Sequence, residues 1–98
     1  MLVIMIKEFL AICEYLKKSG GREARGYLII ERPELEALLN KNRYLTSLEK
    51  LKYWKALHWI DADENQTTKK VCVGGVRKRC IKLDLKVYGA MKDVIGRS

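Results

Sequence analysis

Near the start of the chain Ile6, Phe9, Leu10, Cys13 and Leu16 recur at helical spacing, which predicts a first helix over about residues 3–18. Lys17 and Lys18 close it and Ser19-Gly20-Gly21 follow, as suits a C-terminus where cations meet the negative end of the helix dipole and glycine supplies a left-handed cap. Leu2 to Met5 add apolar surface beyond one stripe, and either complete the core or form a dimer seam. A basic loop (Arg22, Arg25, Gly26) precedes a short apolar run, Tyr27 to Ile30, with the character of a small strand. Pro33 then stands at a first helical position, with Glu34 and Glu36 in the opening turn and Leu35, Leu38 and Leu39 as the buried face, so a second helix runs to about Asn40.

A third helix opens at Thr46, because Thr46-x-x-Glu49 matches a capping box in which each side chain satisfies the other residue's free amide. Leu48, Leu51, Trp54 and Leu57 fall on one side, Glu49, Lys52, Tyr53 and Ala56 on the opposite side, and Lys50 and Lys55 flank the stripe. Trp54 and Trp59 are expected in the core. The polar stretch Asp61 to Gln66 reads as a turn or strand end.

The stretch KKVCVGGVRKRCIK, Lys69 to Lys82, consists of two short β-prone runs joined by Gly74-Gly75, a pair able to adopt the positive φ angles of a two-residue hairpin turn. That turn sets a register in which Val73 faces Val76, Cys72 faces Arg77, Val71 faces Lys78 and Lys70 faces Arg79. Apolar weight grows toward Ile81, Leu83 and Leu85, so the base anchors in the core and the tip is free. Lys86 to Ile95 predicts a short last helix.

Charge singles out the hairpin. The chain carries a net charge of +8, and Lys69, Lys70, Arg77, Lys78, Arg79 and Lys82 supply +6 of it, with no acidic residue between Asn65 and Leu83. A projecting cationic ribbon suits a polyanion, of which nucleic acid is the commonest. The order of elements, helix, short extended run, helix, turn, helix, basic hairpin, resembles the winged helix-turn-helix domain of small regulators found in bacteria, archaea and their viruses and plasmids. The resemblance implies a single α+β domain over 1–98: a three-helix core with a helix-turn-helix at about 33–57, a basic β-hairpin wing at about 67–85 and a short C-terminal helix at about 86–95. It also implies that helix 3 enters the major groove while the wing contacts backbone or minor groove. Helix 3 lacks Arg, Asn and Gln on its exposed side, the groups best suited to bidentate base contacts. The six wing cations are therefore expected to dominate affinity for double-stranded DNA, with Lys50, Lys52, Tyr53 and Lys55 adding backbone contacts and limited base contacts. This reading requires the six to point outward, free of internal ion pairs.

The expected role is sequence-tolerant or sequence-specific DNA binding in transcription regulation, with a homodimer through helix 1 and the C-terminal helix. The alternative is a winged-helix protein–protein module in a replication, transcription or conjugation assembly. Nearly half the residues are apolar and a third charged, a globular composition. MLVIMI at the N-terminus is too short to span a bilayer and lacks the features of a secretory signal, so a cytoplasmic protein without membrane contact is expected. Asp61, Asp63 and Asn65 match the first positions of a calcium loop, but Gln66 replaces the required glycine and Cys72 stands where a bidentate Glu belongs. His58, Cys72 and Cys80 are the remaining metal candidates, and the register puts the two cysteines on opposite faces, which favours small hydrophobes and a partly buried histidine. No nucleophile with a base partner and no phosphate loop stands out, so neither enzymatic activity nor a cofactor is expected.

Overall fold

A computed structural model describes residues 2–96 as an α+β arrangement of helices and an antiparallel sheet. In chain order the elements are α1 (Leu2–Lys18), β1 (Arg22–Ala24), β2 (Tyr27–Glu31), α2 (Arg32–Leu39), α3 (Ser47–Ala56), β3 (Ile60–Asp61), β4 (Lys69–Val73), β5 (Val76–Asp84) and α4 (Leu85–Gly96). β5 is the central strand: β2 lies along one edge, while β3 and β4 pair in turn with its base and its tip. Leu28, Ile30, Ile60, Ile81 and Leu83 project from alternate positions into the core, with Leu28 opposite Leu83 and Ile30 opposite Ile81. Against them pack Phe9, Trp54 and Trp59, whose ring centroids lie 5.0–6.3 Å apart, so the two tryptophans are core residues. Among the described residues no helix is long and apolar enough to cross a membrane.

Several local signals act as their chemistry dictates. Gly20 is left-handed at φ +78°, and the Gly21 amide donates to the Leu16 carbonyl at 2.7 Å, closing α1 with a Schellman-type cap. Pro33 opens α2, and Thr46 and Glu49 form both halves of the capping box on α3. Asp84 caps α4 by accepting from the Lys86 amide at 2.8 Å.

Three features depart from the sequence pattern. The stretch containing Arg22 is a strand rather than a loop, because Arg25 and Gly26 (φ +52° and +87°) make a tight turn that pairs Arg22–Ala24 with β2. The buried stripe of α1 is rotated to Met5, Glu8, Phe9, Ile12, Cys13 and Leu16, which brings a carboxylate inside. α3 is rotated to match: Leu48 and Leu57 are 44% and 42% exposed, whereas Lys50 is 0% exposed. The Lys50 ammonium meets Glu8 Oε2 at 2.9 Å, the Leu39 carbonyl at 2.6 Å and the Asn42 carbonyl, while the Tyr44 hydroxyl donates to Glu8 Oε1 at 2.5 Å. A buried charge is tolerated only when it is paired and hydrogen-bonded, and here one ion pair turns two helices about their axes. Lys50 therefore cannot flank the stripe as a surface cation.

Candidate nucleic-acid interface

Gly74 and Gly75, at φ +59° and +81°, turn β4 back on β5 in the expected register, Val73 opposite Val76 through Lys70 opposite Arg79. β2 reaches along β5 only from Cys80 onward, so among the described strands Val76 to Arg79 pair with β4 alone and extend beyond β2. At about 3.3 Å per residue this arm projects by about 13 Å. It accompanies a long axis of 43 Å against 25 and 23 Å for the other two. Both faces of the arm are exposed between Val76 and Arg79.

The hairpin cations are not equivalent. Lys69 and Lys82 converge on Asp61 at 3.1 and 3.2 Å, Lys78 lies 3.4 Å from Glu31, and Arg79 lies 2.8 Å from Asp63. Arg79 also donates through Nε to the Thr68 hydroxyl at 2.8 Å, and Lys82 sits 4.4 Å from the centre of the Tyr27 ring. The requirement for six cations free of internal pairs is thus not met: four of them carry carboxylates that come from outside the hairpin. Burial alone would raise the Asp61 pKa, but the hydrogen bonds from Lys69 and Lys82 outweigh it and hold the carboxyl below its usual 3.8. The bond to Asp61 in turn raises Lys69. The side chains of Lys70 and Arg77 have no ion-pair or hydrogen-bond partner among the described residues, and both are exposed.

On α3, Lys52 and Tyr53 are exposed, Tyr53 by 48%, and face away from the core with Glu49 and Ala56. Lys55 is half-buried and donates to the Asp63 carbonyl at 2.8 Å. Asp63 is thereby gripped through its carbonyl by α3 and through its carboxylate by Arg79 of the β4–β5 hairpin, so the β3–β4 loop bridges the two elements. Of the ten residues read as DNA contacts, Lys52, Tyr53, Lys70 and Arg77 are open, five others are engaged but reach the surface, and Lys50 is enclosed. Sequence reading missed the bracing acids Glu31, Asp61 and Asp63, and it missed Arg32 and the loop as neighbours of α3. The acids flanking the hairpin were the available signal, since a strand end rich in Asp beside a basic ribbon is a natural source of counter-charges.

Cys72 is exposed and Cys80 buried, on opposite faces as the register requires, and His58 is exposed rather than partly buried. Among the described residues no group of three His, Cys, Asp or Glu side chains is placed to hold a metal ion. No family model matches this sequence, and a search of curated proteins gives no match.

Proposed function

We propose that this chain is a winged-helix module that binds double-stranded DNA, as a transcription regulator, with the wing tip on the phosphate backbone and α3 beside it. With four of the six cations paired, the reading rests on a narrower base than six free charges, and the observation carrying it is the arm itself: among the described residues Lys70 and Arg77 stand without counter-charges on a ribbon extending beyond β2. The Lys78–Glu31 and Arg79–Asp63 pairs are exposed, and such pairs are weak and easily exchanged, so Lys78 and Arg79 are a reserve that a phosphate can recruit from Glu31 and Asp63. Each phosphate contact contributes about 0.9 to the slope of log K against log salt. Lys52, Lys70 and Arg77 together give a slope of about −3, and recruitment of the reserve moves it toward about −5. Anisotropy titration of a random duplex across a salt series measures it, and a slope near zero removes the proposal.

The same reading includes a homodimer through α1 and α4, supported by the exposed apolar side chains Leu2, Val3 and Ile4 on one helix and Val94 on the other. Light scattering that gives a monomer at every concentration rejects it. One observation favours the alternative, an acidic protein partner: the wing already takes carboxylates as ligands within its own chain. Retention of a partner after nuclease treatment would select that reading over DNA.

A further inference from the structure

We infer that the cleft between the start of α2, one side of α3 and the β3–β4 loop is a seat for one phosphodiester group of the duplex backbone; this rests on the nucleic-acid reading above. Leu48, Lys52 and Lys55 lie three or four residues apart along one side of α3 and form one wall. Arg32, the first residue of α2, forms a second, and Asn65, Gln66 and Thr67 form the third. The cleft encloses about 360 Å³, and among the described residues no carboxylate lines it.

The surroundings keep it cationic. Glu36 accepts from Arg32 Nε at 2.6 Å, which orients the guanidinium by its inner edge, and no other partner engages that group among the described residues. Of the acids in the loop, Asp63 is held by Arg79 on the wing side, and neither it nor Glu64 is among the residues that line the cleft. The side chains of Lys52, Asn65 and Gln66 have no hydrogen-bond partner among the described residues. A guanidinium fork, an ammonium and two amide N–H donors around one concavity match the oxygens of a phosphate group.

The loop is also built before any ligand arrives. Lys55 Nζ and the Gln66 amide both donate to the Asp63 carbonyl, at 2.8 and 3.0 Å, the Asp63 amide donates to the Thr68 carbonyl at 3.2 Å, and Asn65 turns the chain at φ +63°. An anchored loop spares the ligand the entropy of ordering it. The loop that forms the third wall runs directly into β4, the strand that carries Lys70, so the cleft adjoins both α3 and the chain entering the wing. A backbone passing from α3 to the wing crosses it, which favours a group on a continuing polymer over a free small anion.

Arg32 separates this inference from the wider reading, because nothing else assigns it a role in binding. With about 0.9 per contact, loss of one phosphate contact lowers affinity about eightfold at 0.1 M salt and reduces the slope by about 1. Arg32→Gln, and Arg32→Gln with Glu36→Gln so that no carboxylate is set free, are expected to show both effects on a random duplex. Gln66→Ala is expected to weaken binding with no change of slope, since it removes a neutral donor. Lys18→Gln, an exposed α1 position of equal charge change, is expected to leave both quantities unaltered, and thermal melting verifies that each variant is folded. An unchanged slope in both Arg32 variants, while Lys70→Gln with Arg77→Gln reduces it, overturns the seat and leaves DNA binding intact. Absence of duplex binding by the wild-type chain overturns both. Titration with inorganic phosphate, followed by amide shifts at Lys52 and Gln66, provides the last arm: submillimolar binding that Arg32→Gln abolishes without altering duplex affinity assigns the cleft to a free anion and overturns the polymer assignment.

Discussion

Replacing Lys50 by Met tests the most consequential contact in the fold. The ammonium is fully enclosed and has three oxygen acceptors: Glu8 Oε2 at 2.9 Å, the Leu39 carbonyl at 2.6 Å and the Asn42 carbonyl. Met matches the length of the stem but leaves the buried Glu8 carboxylate with the Tyr44 hydroxyl as its remaining donor, and two carbonyls without their cation. Removing one member of a buried pair costs about 3–5 kcal/mol, a large part of the roughly 5–15 kcal/mol that holds a domain of this size. At about 4–8 °C per kcal/mol, the melting temperature should fall by at least about 12 °C. Urea unfolding followed by the fluorescence of Trp54 and Trp59, both buried, reads the loss directly. Lys50→Met combined with Glu8→Leu removes both charges together, and is expected to be more stable than Lys50→Met alone. A loss below about 1 kcal/mol for the single variant, or additive effects in the double-mutant cycle, would refute the claim that this pair sets the rotation of α1 and α3.

Other consequences follow from individual residues. His58 caps α3 at φ +61°, where the Trp59 amide donates to the Trp54 carbonyl at 2.8 Å; His58→Gly should therefore stabilise the fold by up to about 1 kcal/mol, and a lower urea midpoint would contradict the cap. A Cβ on Gly21 would lie 2.7 Å from the Leu16 carbonyl oxygen, so Gly21→Ala should destabilise by more than about 1 kcal/mol, whereas an unchanged midpoint would mean that the α1 terminus relaxes easily. Tyr44 is pushed above its usual 10 by burial, by its hydrogen bond to Glu8 and by that carboxylate's charge. The unfolded chain thus releases this proton first, so the contribution is complete below pH 10 and is lost as pH rises through the folded value; Tyr44→Phe should flatten the alkaline limb of stability, and an unaltered limb would exclude Tyr44 as its source. Lys70→Gln with Arg77→Gln should weaken duplex binding more than Lys78→Gln with Lys82→Gln, because the second pair already holds carboxylates; equal losses in anisotropy would show that those ion pairs open freely.

What the sequence by itself determined lies within a few residues of its cause. The α1 cap needs Gly20 and Gly21 next to the last turn, the α3 start needs Thr46 and Glu49 three apart, and the β4–β5 hairpin register needs Gly74-Gly75 between two β-prone runs. Each is a backbone preference or a short hydrogen bond that the chain makes with itself, so composition and spacing suffice. The three-residue strand Arg22–Ala24 has no apolar alternation of its own and exists because β2 offers an edge to pair with. The tertiary structure alone decided which charges are spent inside the molecule. Lys50 meets Glu8 across 42 residues, Lys78 meets Glu31 across 47, and Lys82 and Arg79 meet Asp61 and Asp63 across 21 and 16. Net charge adds along a chain whatever its shape, but the field that a phosphate meets depends on distances in space. Folding brought carboxylates onto the ribbon and left Lys70 and Arg77, among the described residues, uncompensated, which no count of lysines and arginines contains.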